Sequence, residues 1–267
     1  LISSLLSSGR KTEGLLKQID NAGIRRAGIF AVYSPDTTGI ASNEFLYEQI
    51  KDHPERMFGF YSIRTDHWNL NSEEELKKLE ADLIKYQGKG IKLAHAHQQM
   101  RLDDKRFDGI YDISERLGKP LYIHTGTSPN PYTRMEPPYV DPLYLEESIK
   151  KYPGAIFIMG HSGYDSFLVK LTYLDSCIEL AKKYENVYIE PGALGSRKAS
   201  EILPIYLKRM KDEGIIDRVI YGSDGPQFPG YTASHLNNMI DAMEEVGYTG
   251  LEMKAVLESN FERVFDL

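Results

Sequence analysis

A barrel of alternating β-strands and α-helices, the (β/α)₈ type, is the fold this sequence predicts, and three observations predict it. The chain has 267 residues, the size of one such barrel. From Ile24 onward, short apolar runs alternate with amphipathic segments, the pattern of a parallel sheet covered by helices. Three of the runs lead into a residue able to bind a metal or move a proton: His124 after PLYI, His161 after AIFIMG and Asp224 after VIYGS. Such groups at the C-terminal ends of successive strands are how this kind of barrel builds an active site.

The elements follow in order. Thr12 starts a helix with Leu15, Leu16 and Ile19 on one face and Gly23 as its stop. Ile24–Tyr33 reads as a strand ending at the Ser34-Pro35 turn, and Ser42 caps a helix through Ile50. Met57–Ile63 is the next strand. Ser72 and Glu75 form a capping box for a helix carrying Leu76, Leu79, Leu83 and Ile84, closed at Gly88. Gly90–Leu93 (GIKL) is a short strand, and Asp103 or Asp104 opens a helix through Leu117. After PLYI comes a long proline- and tyrosine-rich loop, Ser128–Asp141. A helix over Pro142–Lys151, the AIFIMG strand and a helix over Leu168–Lys183 come next, then the strand Val187–Glu190. Glu201–Glu213 is helical, Arg218–Tyr221 is the last strand, and helices over Leu236–Val246 and Leu251–Val264 complete a single domain, residues 1–267.

This tally yields seven strands, not eight. A doubly wound open sheet also takes seven, but no GxGxxG follows any strand, so its phosphate-binding turn is lacking. The shortfall falls at the front. It fits an N-terminus whose first strand has diverged or lies upstream of Leu1.

Composition narrows the function. An apolar fraction of 41% and a charged fraction of 27% suit a globular protein. A net charge of −7 argues against nucleic acid as partner. No apolar run reaches the ~20 residues of a membrane span, and LISSLLSSGR lacks the form of a signal peptide, so a cytoplasmic protein acting on a small molecule is expected. The single cysteine, Cys177, sits in a helical pattern and is expected to be buried and inert. Barrels of this kind commonly form homo-oligomers, and the tyrosines offer material for an interface, though no stretch marks one.

Two imidazoles and a carboxylate at converging strand ends suit a divalent metal, Zn²⁺ first and Mn²⁺ or Fe²⁺ next. In that reading His124 and Asp224 are ligands, and Asp224 doubles as general base. His161 is either a third ligand or an acid–base or carbonyl-polarising group beside the metal. Any one histidine after a strand is more often structural than catalytic, and GSDGP alone is a plain turn. The weight lies on the three together. Lys92 reads as a charge at the barrel top for substrate. Arg134, in the long loop with Tyr132 and Tyr139, reads as a partner for a substrate carboxylate. His95 and His97 offer a His-x-His pair on one strand face, with a loop or substrate role preferred for His97. His53 and His67 have no evident partners, and His235 is expected to face solvent at a helix start.

The segments GIKL, PLYIHTG, IMGHSG, VYIE and YGSDGP and the ending SNFERVF resemble the amidohydrolase superfamily, in the branch of metal-dependent hydrolases and aminocarboxymuconate-semialdehyde-type decarboxylases. The resemblance runs from about Ile24 to the C-terminus. It implies a TIM barrel with His124 as a metal ligand, His161 as the catalytic or second-metal histidine, and Asp224 as ligand and general base. It also implies a His-x-His pair on the first strand, which the residues before Thr12 do not contain. Three functions follow as expectations. The first is a metal-dependent hydrolase of a small amide, lactone or ester. The second is a non-oxidative decarboxylase of a small aromatic or unsaturated acid. The third is a metal-free barrel that only binds ligand.

Overall fold

The computed structural model describes residues 12–66 and 68–267. LISSLLSSGR and His67 lie outside the described residues. Strand β1 spans Ala27–Phe30, followed by a small hairpin of β2 (Val32–Ser34) and β3 (Gly39–Ala41). Then come β4 (Met57–Ser62), β5 (Gly90–Leu93), β6 (Leu121–His124), β7 (Phe157–Gly160) and β8 (Val187–Glu190). The main sheet runs β1-β4-β5-β6-β7-β8, every neighbouring pair parallel. A parallel bridge from Ile189 to Val219, with Ile220 N–H donating to Ile189 O at 2.9 Å, adds a seventh position.

Every residue of β4 to β8 is buried, because helices cover one face of the sheet and the curled sheet encloses the other. Ile91, Leu93, Leu121, Ile123, Phe157 and Met159 pack outward against helical side chains such as Leu79, Leu83, Ile110 and Leu180. Phe58, Phe60, Tyr122, Ile158, Tyr188 and Ile220 face inward and meet Val264 and Phe265 of the last helix. Each fully buried side chain of this size contributes about 1.5–3 kcal/mol. The alternation of outward and inward residues follows from the two-residue period of a strand. It also sends Lys92, Tyr122, His124 and Glu190 inward.

Among the described residues the curl matches a (β/α)₈ barrel short of one strand. Between β1 and residues 219–222 lies a cavity of about 440 Å³, lined by Gly28, Phe30, Phe60, Ile220 and Tyr221. It occupies the place where one more strand would close the barrel.

Several expectations are corrected. The strand read over Ile24–Tyr33 is two pieces, since Ala31 N–H still bonds Phe60 O while Val32 turns away into the hairpin. The helix read from Thr12 runs over Thr12–Asn21, and Thr12 Oγ1 donates to Gln49 O at 2.6 Å. The helix expected from Ser72 begins at Trp68, with a kink at Asn71, and Ile84 is exposed on it. The segment expected to be helical from Leu168 becomes so only at Leu174–Lys183. Leu251–Val264 is Gly250–Lys254, one π turn over Ala255–Ser259, and Asn260–Phe265. By contrast, GIKL and VYIE form the strands as read, and Ser42 Oγ accepts from Phe45 N at 3.1 Å. Cys177 is buried, and burial pushes its thiol far above its ordinary range. Among the described residues no helix is long and apolar enough to cross a membrane.

Candidate active site

At the C-terminal ends of the strands lies a second cavity, of about 430 Å³. Lys92, His97, His124, His161 and Asp224 line it, with Phe30 and the hairpin residues Val32 and Ile40 as an apolar wall. Phe30 and Asp224 also line the cavity at the barrel seam, so the two spaces share a boundary.

His124 is the last residue of β6 and is buried. Its ring lies 4.5 Å from the His161 ring and 4.7 Å from the His97 ring, centroid to centroid, each pair edge to face. Among the described residues its Nε2 has no hydrogen-bond partner. Burial, then the neighbouring His161, His97 and Lys92, hold its pKa well below the ordinary histidine value, so the ring is neutral. His97 is held down to about 4, by burial first and then by Lys92 and His161.

Lys92 is the one buried lysine among the described residues. Its Nζ sits 4.1 Å from the Tyr122 ring centroid and 4.9 Å from that of Phe30. Cation–π attraction of this kind contributes about 0.5–2 kcal/mol. Burial lowers its pKa to about 8 against the opposing pull of Asp224 and Glu190. The group therefore remains a cation at neutral pH.

His161 follows β7 and has a left-handed backbone (φ 64°), as do Ser162 (φ 52°) and Gly163 (φ 69°). A non-glycine residue in this region costs about 1–2 kcal/mol. The turn is held from outside. His161 N–H donates to Glu190 Oε2 at 3.2 Å, Ser162 Oγ donates to Glu190 O at 2.8 Å, and Gly163 N–H donates to Thr125 Oγ1 at 3.1 Å. Asp224 also has a left-handed backbone (φ 53°), lies exposed at the cavity mouth, and has its main-chain oxygen bonded by Gln227 Nε2 at 2.6 Å.

The metal expectation fares differently. The unpartnered Nε2 of neutral His124 is a free donor atom beside the His161 ring. Yet among the described residues no grouping of three or more His, Cys, Asp or Glu is placed to hold an ion. His124, His161 and Asp224 line one cavity without forming a complete ligand set, so these residues alone do not fit a metal centre.

Three further expectations change. The strand ends at Leu93, so His95 and His97 share no strand face. His95 turns into the core against Phe107 (4.3 Å between centroids), while His97 reaches the cavity. Arg134 is taken up outside the cavity, paired with Glu136 at 2.7 Å and lying 4.5 Å from the Tyr139 ring centroid. Of the long loop, Ser128 and Pro129 line the cavity, whereas Tyr132 is exposed. His235 is buried, with Nε2 2.7 Å from Gly192 O and Nδ1 3.2 Å from Tyr221 Oη.

Sequence reasoning passed over Glu190 and Tyr122. Tyr122 Oη donates to Glu190 Oε2 at 2.6 Å, and burial raises the Glu190 pKa. The signal was present: Glu190 ends its strand just as His124 ends β6.

The amidohydrolase family model matches residues 17–267. No protein with a curated description matches the chain. Solved structures show the same fold. An uncharacterised TIM-barrel protein of Bordetella bronchiseptica superposes with a TM-score of 0.74 at 18% identity, over 95% of this chain and 82% of that one. The probable 2-pyrone-4,6-dicarboxylic acid hydrolase of Acinetobacter baumannii, solved with citric acid, gives 0.70 at 14% identity, over 96% and 89%. The 5-carboxyvanillate decarboxylase of Novosphingobium aromaticivorans, solved with manganese and 4-hydroxy-3-methoxy-5-nitrobenzoic acid, gives 0.66 at 20% identity, over 95% and 79%. With the family model covering nearly its whole length and the fold shared with these barrels, the chain belongs to the amidohydrolase family.

Proposed function

We propose that the protein is an enzyme acting on a small carboxylate-bearing molecule in the cavity of Lys92, His124, His161 and Asp224. The observation that carries this reading is Lys92. Its ammonium sits buried against two aromatic faces at an otherwise apolar wall, with neutral imidazoles beside it. An anion entering this space meets a desolvated cation, which binds it more strongly than a solvated one would. The probable hydrolase and the decarboxylase among the solved neighbours are both named for carboxylic acids.

The reaction we favour is hydrolysis of a lactone, ester or amide carbonyl. Asp224, open to solvent at the mouth, accepts a proton from the attacking water. The Lys92 ammonium holds the substrate carboxylate, and His161 helps hold the oxyanion as charge moves to the carbonyl oxygen. His161 orients the carbonyl. Family membership supports a divalent ion as cofactor, and a solved neighbour holds manganese; such an ion would act as a Lewis acid. Since the described residues do not complete a ligand set, we expect this chain to hold such an ion weakly.

Decarboxylation is the second reading, and the scaffold supports it equally. The Phe30 ring on the cavity wall suits an aromatic acid, and Asp224 in its protonated form would deliver its proton to the ring carbon as CO₂ leaves. One experiment separates the two: incubate the protein with 2-pyrone-4,6-dicarboxylate and with 5-carboxyvanillate, following ring opening by absorbance and CO₂ release. Ring opening supports hydrolysis. CO₂ release without hydrolysis overturns it in favour of decarboxylation. Binding without either reaction, across a wider panel of lactones, esters and aromatic acids, leaves a ligand-binding barrel.

A further inference from the structure

Glu190 is the most deeply buried acid among the described residues, 4% exposed. A buried carboxylate is costly unless its oxygens are paired. Here one oxygen, Oε2, accepts two hydrogen bonds, from Tyr122 Oη at 2.6 Å and from His161 N–H at 3.2 Å. The same residue's carbonyl accepts from Ser162 Oγ at 2.8 Å. Glu190 thus grips the left-handed His161–Gly163 turn from its side chain and its main chain together.

The neighbouring strands make room for it. A Cβ at Gly160 would lie 2.5 Å from Tyr122 Oη, and one at Gly222 would lie 1.9 Å from Glu190 Oε1. Glycine at both positions lets the Tyr122–Glu190 pair reach across the barrel interior. Tyr122 in turn presents its ring to Lys92 Nζ at 4.1 Å. Hydrogen bonding of the phenol to a carboxylate enriches the ring in electrons and so strengthens its hold on the cation.

We propose that Glu190 is a positioning residue for the cavity: one buried carboxylate sets the His161 turn through the His161 N–H and sets the Tyr122 ring on which Lys92 rests. This rests on the cavity being the active site.

The test compares Glu190→Gln, Glu190→Ala and Tyr122→Phe by crystal structure and by kinetics on whichever panel substrate the wild type turns over. Both bonds fall on a single oxygen, so the glutamine amide oxygen can accept both. The expected result is that Glu190→Gln keeps His161 in place and keeps kcat close to wild type. In Glu190→Ala, His161 is expected to move by about 1 Å and kcat to fall about 100-fold, and KM to rise by a smaller factor as the Tyr122 ring shifts under Lys92. In Tyr122→Phe, the ring is expected to shift under Lys92 while His161 stays. An alanine variant with His161 undisplaced overturns the proposal whatever its activity. So does a glutamine variant as damaged as the alanine one with His161 in place, because charge, not position, would then be the cause. If the alanine variant does not fold, the glutamine and phenylalanine variants decide by the same criteria. If the wild type turns over none of the panel, the functional reading fails, and the displacement of His161 still tests this one.

Discussion

His124 and His161 meet edge to face with ring centroids 4.5 Å apart, at the ends of adjacent parallel strands. Burial first, then the neighbouring His161, His97 and Lys92, holds the His124 pKa well below the ordinary histidine value, so its ring is neutral at neutral pH. The two rings form one wall of the cavity beside Lys92, the one buried lysine among the described residues.

Lys92 yields the first prediction. Its pKa lies at about 8, and the cation is the form that binds an anion. Affinity for a substrate carboxylate should hold below that pH and fall as pH rises through it. In Lys92→Met, binding should drop by about 10- to 100-fold at pH 7, the equivalent of about 1.4–3 kcal/mol, and the pH dependence should vanish. Calorimetric titration of 2-pyrone-4,6-dicarboxylate across pH 6–9 checks this. Thermal stability of the variant should be equal or higher, since a buried charge is lost.

The buried histidines predict a pH dependence of stability. His95 is fully buried, both its nitrogens lack partners among the described residues, and burial lowers its pKa to about 3. Between that value and the unfolded value near 6.5, the unfolded chain binds the proton and the folded chain does not. Stability is therefore full above about pH 6.5 and is lost as pH falls, by about 2 kcal/mol from His95 at pH 5. Replacing His95 with Phe, which can pack against Phe107, should flatten the decline in Tm between pH 7 and pH 5. An unchanged decline would show that His95 is solvated or paired.

His235 should matter for folding more than for chemistry. It ties the last long helix, Tyr231–Glu245, to Gly192 and Tyr221 from a buried position. Removing it leaves buried groups unpaired, at about 1–3 kcal/mol for each. His235→Ala should lower the denaturation midpoint clearly, while the folded fraction keeps its ligand affinity. A variant of full stability and lost affinity would move His235 into the site.

Metal retention tests the ligand set. Dialysed against zinc or manganese and then against metal-free buffer, the chain should keep well under one equivalent, because the described residues place fewer than three ligands together. One equivalent retained by the wild type and lost in His124→Ala would contradict this.

Much of the fold was legible because strands buried on both faces read as unbroken apolar runs. GIKL and VYIE are read to the residue for that reason. The ends of β6 and β7, leading into His124 and His161, were legible too, since polar residues there break the apolar pattern, whereas the strand read over Arg218–Tyr221 before Asp224 is reduced to a single bridge from Val219 to Ile189. What escaped depends on the third dimension. Whether Val32 continues β1 or folds into a hairpin is decided by the loop to Ala41, not by its own preference. His235 looked like a polar residue on a helix surface, yet residues 192–195 pack on that face. Arg134 looked free, but Glu136 two residues on captures it locally. Glu190 looked like an ordinary strand end, and only the glycines at 160 and 222 make its reach to Tyr122 possible.

The most direct test of the account is a crystal structure of the protein with 2-pyrone-4,6-dicarboxylate at pH 7. The account predicts the ligand in the cavity of Lys92, His124 and His161, one carboxylate within about 3 Å of Lys92 Nζ and a ring carbonyl facing Asp224 across the mouth. Ligand bound elsewhere on the barrel, with this cavity holding only water at saturating concentration, would contradict it.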